Sequence, residues 1–239
     1  KRSEFLFELT KNSNCIAIAG THGKTTTTAI LTHIFIENNI HFSSLLGGVF
    51  KNNKTNMINM GNKYFIVEAD EYDRSFLDLK PKIGCITSID KDHLDIYKNL
   101  STLKKTFVEF SDNILETKII EKTIPIEGTT YSINEKADYY VEEISRLDNG
   151  YQFNIIFPGG RINKVYFNQL GKHNLSNAIA AIAISNEIGI EIEKSVKCLA
   201  KFPGIKRRFE IIFQSKNKVL IDDYAHHPKE IEVVYNTLN

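Results

Sequence analysis

The sequence predicts an α/β fold: a parallel sheet flanked by helices, a small antiparallel sheet beside it, and the first strand and helix of a second α/β unit. Three observations carry this. Continuous apolar runs of strand length, Cys15–Ala19, Tyr64–Val67 and Ile83–Ile89, alternate with runs of helical spacing, Thr25–Glu37 and Leu100–Phe110. Strands buried on both faces read as unbroken apolar runs, as these do. The stretch from Thr129 to Asn168 differs, with short alternating segments around the turn signals Asp148-Asn149-Gly150 and Pro158-Gly159-Gly160, the pattern of a small antiparallel meander.

The first strand feeds Gly20-Thr21-His22-Gly23-Lys24-Thr25-Thr26-Thr27-Thr28, a glycine-pinned turn before a helix that opens on lysine and threonines. Such a turn points backbone N–H groups into one concavity, where the helix dipole and a lysine favour a polyphosphate. Ile18 stands where the longer phosphate-loop pattern has glycine. The match is therefore to the shorter G-x-x-G-K-T form, which a threonine-capped tight turn also satisfies. The next strand ends in Glu68-Ala69-Asp70-Glu71. A carboxylate at that edge suits a hard divalent cation, Glu68 foremost; solvated acids at a strand end are the alternative. The third strand leads into Asp90-Lys91-Asp92-His93-Leu94-Asp95, where His93 is either a second metal ligand or a helix cap.

Helical spacing returns over Asn174–Ile188, which stops before Gly189, and over Glu191–Lys201. Phe202-Pro203-Gly204 followed by Lys206-Arg207-Arg208 reads as an interdomain hinge. Val219–Ile221 then opens a new unit too short to close a core. The predicted division is residues 1–203 and 204–239. Because the chain starts at Lys1, it is expected to be a piece of a longer protein.

With 239 residues and a net charge of +1, nothing calls for a nucleic-acid partner or an anionic membrane surface. Three widely spaced cysteines without Cys-x-x-Cys argue against a disulfide framework or a thiolate zinc site, and two of them, Cys15 and Cys85, lie in apolar runs. No apolar run reaches membrane-spanning length and no signal peptide is visible, so a cytoplasmic setting is expected.

Five ordered blocks resemble the ATP-dependent muramyl ligase family of bacterial cell-wall synthesis. They are Ala19–Thr26, Glu68–Glu71, Asp92–Asp95, the run Gly171-Lys172-His173-Asn174-Leu175-Ser176-Asn177-Ala178, and Lys206–Glu210 with Asp222-Asp223-Tyr224-Ala225-His226-His227-Pro228. The resemblance covers nearly the whole chain. It implies a central ATPase domain followed by the start of a Rossmann-like C-terminal domain. The activity implied is ATP-dependent joining of L-alanine to UDP-N-acetylmuramate through an acyl phosphate.

The resemblance also implies residue roles. The loop Gly20, Thr21, His22, Gly23, Lys24, Thr25 and Thr26 would hold ATP, with Lys24 along the β- and γ-phosphates. Thr25 and Glu68 would hold one Mg²⁺, and Glu68 with His93 a second. Asn177, with His173 or Asn174, would meet the adenine edge; Arg208 would reach the γ-phosphate and Asp223 the ribose hydroxyls. Lys24, Glu68, His93 and Arg208 are thus the expected catalytic set. Leu170 and Lys172 depart from the family pattern, and Leu115–Tyr131 is short, as if a strand–helix step were trimmed. Family members carry a uridine-binding domain before this region and most of the amino-acid-binding domain after it, so neither is expected here. Open alternatives are a ligase joining a whole peptide to the same sugar nucleotide, a folate polyglutamate ligase, and a nucleotide switch or binding module. The chain has no Asn-Lys-x-Asp run for guanine selection, which disfavours a GTPase switch.

Overall fold

The computed structural model describes residues 2–52, 55–90, 97, 99–215, 217–226 and 228–238. The central strands are β1 (Asn14–Ala19), β2 (Phe42–Leu45), β4 (Tyr64–Glu68), β5 (Ile83–Ile86), β6 (Thr117–Glu121) and β7 (Thr129–Ser132), with β3 (Met57–Asn59) antiparallel on the edge. They join β8 (Tyr139–Leu147), β9 (Gly150–Phe157) and β10 (Gly160–Phe167) in one sheet of order β10-β9-β8-β7-β6-β5-β1-β4-β2-β3. The antiparallel meander expected after Thr129 is β8-β9-β10. It is continuous with the parallel part because β8 pairs parallel with β7.

Strand β1 shows why its sequence is apolar throughout. Ile16 and Ile18 face one core, Cys15, Ala17 and Ala19 the other, and all five are buried. The first face is covered by α2 (Lys24–Glu37), α4 (Lys172–Glu187) and α5 (Ile192–Leu199). The second is covered by α3 (Leu100–Asp112), whose Leu103, Phe107 and Phe110 recur at helical spacing, and by a 3₁₀ turn at Tyr72–Asp78 that contributes Phe76. Helix α1 (Arg2–Thr10) leans on this core through Leu6. The alanine-rich middle of α4 is fully buried and packs against α2. Small side chains there let the two helices approach closely.

Between β6 and β7 the chain makes a parallel step without an intervening helix, as the short Leu115–Tyr131 segment suggests. The segment expected to be a hinge is packed down: Phe202, Ile205 and Phe209 are buried, and Phe50 bridges Ile205 antiparallel. Beyond it, β11 (Glu210–Gln214) and β12 (Val219–Asp222) form a two-stranded antiparallel hairpin followed by α6 (Pro228–Leu238). Sequence reading places the strand at Val219 but not its partner β11. Ile212, Phe213, Val219, Leu220, Ile231 and Tyr235 of this last unit are exposed. No helix among the described residues is long and apolar enough to cross a membrane.

Candidate functional site

The β1–α2 turn is held in place by the end of β5. Expected to run to Ile89, that strand stops at Ile86 because the next residues bend to bond the turn. The Thr87 hydroxyl donates to the carbonyls of Ala19 and His22, and the Ser88 hydroxyl accepts the His22 N–H at 2.8 Å. Thr21 N–H reaches the Ser88 carbonyl and the Asp90 N–H donates to the Thr21 hydroxyl. Gly23 enters α2 at φ 88°, and a Cβ there would lie 2.4 Å from the Asn177 Oδ1. Glycine is required twice over: for the left-handed backbone, and for the close approach of α4.

Lys24 curls back beneath this turn. Its ammonium donates to the Gly20 carbonyl at 2.6 Å and forms a salt bridge of 2.7 Å with Glu71 Oε2. One residue on, the Thr25 hydroxyl donates to Glu68 Oε2 at 2.9 Å, and the Gly47 N–H donates to Glu68 Oε1. Burial pushes the Glu68 carboxyl above its ordinary range; those two hydrogen bonds and the charges of Lys24 and Arg208 oppose the shift. Gly47 has no room for a side chain, since a Cβ would lie 2.7 Å from Glu68 Oε2. Thr26 is buried in the first turn of α2.

On the other side stand the first residues of α4. Asn177 abuts Gly23, whereas the Asn174 side chain donates to the Leu170 carbonyl, a local cap at the helix start. The His173 Nδ1 is buried without a hydrogen-bond partner, and burial pushes the imidazole down to about 4. Arg208 and Asp223 are close enough to act on His173 by charge, so these two side chains lie near this end of the site. The Arg208 guanidinium sits 5.4 Å from the centre of the Tyr224 ring, on which Arg207 also stacks at 5.0 Å. Both carboxylate oxygens of Asp223 accept backbone N–H groups, from Phe209 at 2.6 Å and Ala225 at 2.7 Å. His22 bridges the two halves, 3.7 Å from Asp90 and 3.3 Å from Glu230 on α6. A cavity of about 470 Å³ adjoins His173, lined also by Thr87, Asp90, Glu121, Thr123 and Lys172.

Lys24, Thr25, Glu68, Asn177 and Arg208 are thus brought together around the β1–α2 turn. His93 lies outside the described residues. Among the described residues no cluster of three or more histidine, cysteine or acidic groups is placed to hold a metal. Glu71, Gly47 and Glu230 are partners that sequence reading did not single out. The three acids of Glu68-Ala69-Asp70-Glu71 read as one cluster, and nothing in their spacing separates buried Glu71 from exposed Asp70.

Comparison with known proteins agrees with this geometry. Residues 18–185 match the model of the Mur ligase middle domain. A relative named UDP-N-acetylmuramate–L-alanine ligase from Christiangramia forsetii is 42% identical over 100% of this chain and 53% of its own length. One of the same name from Flavobacterium psychrophilum is 42% identical over 100% and 54%. The chain thus spans about half the length of the curated relatives it matches. Among solved structures, UDP-N-acetylmuramate-alanine ligase from Thermotoga maritima superposes with a TM-score of 0.86 at 28% identity, covering 99% of this chain and 56% of that one. A murein peptide ligase from Psychrobacter arcticus gives 0.74 at 28% identity, covering 98% and 56%. The turn gripped between β5 and α4, the Thr25–Glu68 contact and these matches agree: this chain belongs to the Mur ligase family and carries its middle domain.

Proposed function

We propose that the complete protein joins L-alanine to UDP-N-acetylmuramate at the expense of ATP, in the cytoplasm, and that residues 1–203 form its ATP-binding domain, with 204–239 opening the next one. The observation that carries this reading is the convergence of Lys24, Thr25 and Glu68 at one helix start. The names of the 42% identical relatives support the choice of substrates.

In this reading the N–H groups of Gly20 to Thr26 cradle the phosphates, and the Lys24 ammonium donates a hydrogen bond to them. A hydroxyl and a carboxylate are the oxygen donors that Mg²⁺ prefers, and a buried Glu68 shifted upward by desolvation is relieved by a cation; Thr25 and Glu68 would hold the ion. Bound there, Mg²⁺ supplies charge neutralisation at the phosphates. His173, at the cavity, and Asn177, against Gly23, would meet the base, and Arg208 would approach the γ-phosphate. Asp223 Oδ2 and Oδ1 each accept one backbone N–H, from Phe209 and Ala225, and each keeps a second lone pair that a ribose hydroxyl would use.

A carboxylate oxygen of the sugar nucleotide attacks the γ-phosphorus, ADP leaves, and an acyl phosphate forms. The alanine amine then attacks the acyl carbon, inorganic phosphate leaves and the amine loses a proton. The residues named align anions and neutralise them, so no protein nucleophile is needed. In the full-length protein, phosphate release is expected to require both UDP-N-acetylmuramate and L-alanine, and Lys24→Ala is expected to abolish it. Release driven by a tripeptide instead of alanine would move the assignment to the peptide-joining ligases. Release without any acceptor would leave only an ATPase.

A further inference from the structure

Glu71 is the carboxylate in direct contact with the loop lysine. Its side chain is 1% exposed, against 16% for Lys24, and the two form a salt bridge of 2.7 Å. Its backbone carbonyl accepts the buried Tyr97 hydroxyl, which fixes the start of the 3₁₀ turn. The lysine ammonium has three N–H donors. One goes to the Gly20 carbonyl and one to Glu71, which leaves a single donor for anything in the concavity above.

We propose that Glu71 is a positioning residue for Lys24 that competes with the triphosphate for the same ammonium group, and so makes nucleotide binding depend on a divalent cation. This rests on the nucleotide-site reading above. The reasoning is electrostatic. A lysine paired with a buried carboxylate presents a dipole to the phosphates instead of a net positive charge. A bound polyphosphate therefore meets little uncompensated charge from the lysine. The missing attraction must come from the cation between Thr25 and Glu68 and from Arg208, which lies close enough to act on Glu68. Glutamine at position 71 keeps an acceptor of the same shape and removes the competing charge. At an effective dielectric of about 20, one unit charge within about 10 Å of a phosphate changes binding on the order of tenfold.

The test is ADP binding to the full-length protein by calorimetry, in chelator and again with Mg²⁺. Glu71→Gln is expected to tighten metal-free binding by on the order of tenfold and to shrink the gain that Mg²⁺ gives. Loss of a merely structural contact would weaken binding, so tightening is the distinguishing sign. Unchanged or weaker metal-free binding overturns the proposal. Should Glu71→Gln fail to fold, Glu71→Asp retains the charge and is expected to bind ADP no more tightly than the parent; tighter binding there overturns it equally. Lys24→Met separates the two readings. If it leaves ADP affinity unchanged, the nucleotide site itself is wrong and this proposal falls with it. If it weakens ADP while Glu71→Gln does not tighten it, only the role of Glu71 fails.

Discussion

Replacing Lys24 with alanine is expected to destabilise the middle domain as well as stop turnover, because it removes the salt-bridge partner of a buried carboxylate. The Lys24–Glu71 contact is 2.7 Å with side-chain exposures of 16% and 1%. At that separation the gross attraction is about 6 kcal/mol in an effective dielectric of about 20. Desolvation of both groups offsets most of it, so the intact pair contributes little net stability. Removing only the lysine is a different perturbation. Glu71 cannot reach water from its position, and the Gly20 carbonyl loses the Nζ–H at 2.6 Å. Breaking a buried pair from one side costs about 3–5 kcal/mol. The double change Lys24→Ala with Glu71→Gln removes both charges of the pair together and is expected to recover about 2 kcal/mol or more of that loss. Hydrogen exchange at the amides of β1 and α2 in the full-length protein reads the local opening free energy. A single variant within about 1 kcal/mol of the parent, or a double variant no more stable than the single, would refute the claim that Lys24 compensates Glu71.

Gly23→Ala introduces a Cβ 2.4 Å from the Asn177 Oδ1 at a backbone φ of 88°. The left-handed backbone alone costs about 1–2 kcal/mol, and Asn177 must move, so ADP affinity is expected to fall at least about tenfold while Lys24 stays in place. Titration calorimetry checks this, and parent-like affinity would show that the approach of α4 is not needed. His173 gives a pH signature. Its folded imidazole is pushed from 6.5 to about 4 by burial. The unfolded chain takes up a proton as pH falls through the ordinary value, while the folded chain refuses it until about 4. Stability is therefore unaffected at neutral pH and is lost as pH falls through that window, by up to about 3 kcal/mol. Denaturant midpoints should show the parent losing stability relative to His173→Asn as pH falls from neutral toward 4; a constant difference across that range would contradict it.

Much of the fold is legible in the sequence where burial is two-sided. The strand Cys15–Ala19 reads correctly because both faces are covered, and Leu100–Phe110 because its apolar spacing matches one buried stripe. The meander is legible from its turns, although its continuity with the main sheet is not, since pairing of β7 with β8 leaves no local mark. Edge strands were lost for a related reason. β3 is short and mostly exposed, and β11 belongs to a hairpin whose apolar residues are exposed instead of packed in a core. In the site, Lys24, Thr25 and Glu68 were visible from residue type and position at strand and helix ends. The partners Glu71, Gly47 and Glu230 were not, because each acts through a contact set by tertiary packing. Asp223 shows the limit most plainly: its residue type suits a ribose, yet its carboxylate ties together the turn around Phe209 and Ala225.

The most direct test is a crystal structure of the full-length protein with a non-hydrolysable ATP analogue and Mn²⁺, read by anomalous scattering. The account predicts a manganese peak in contact with the Thr25 hydroxyl and the Glu68 carboxylate, and a triphosphate lying across the Gly20–Thr26 turn beside Lys24. A triphosphate bound elsewhere, or a metal that touches neither Thr25 nor Glu68, would contradict it.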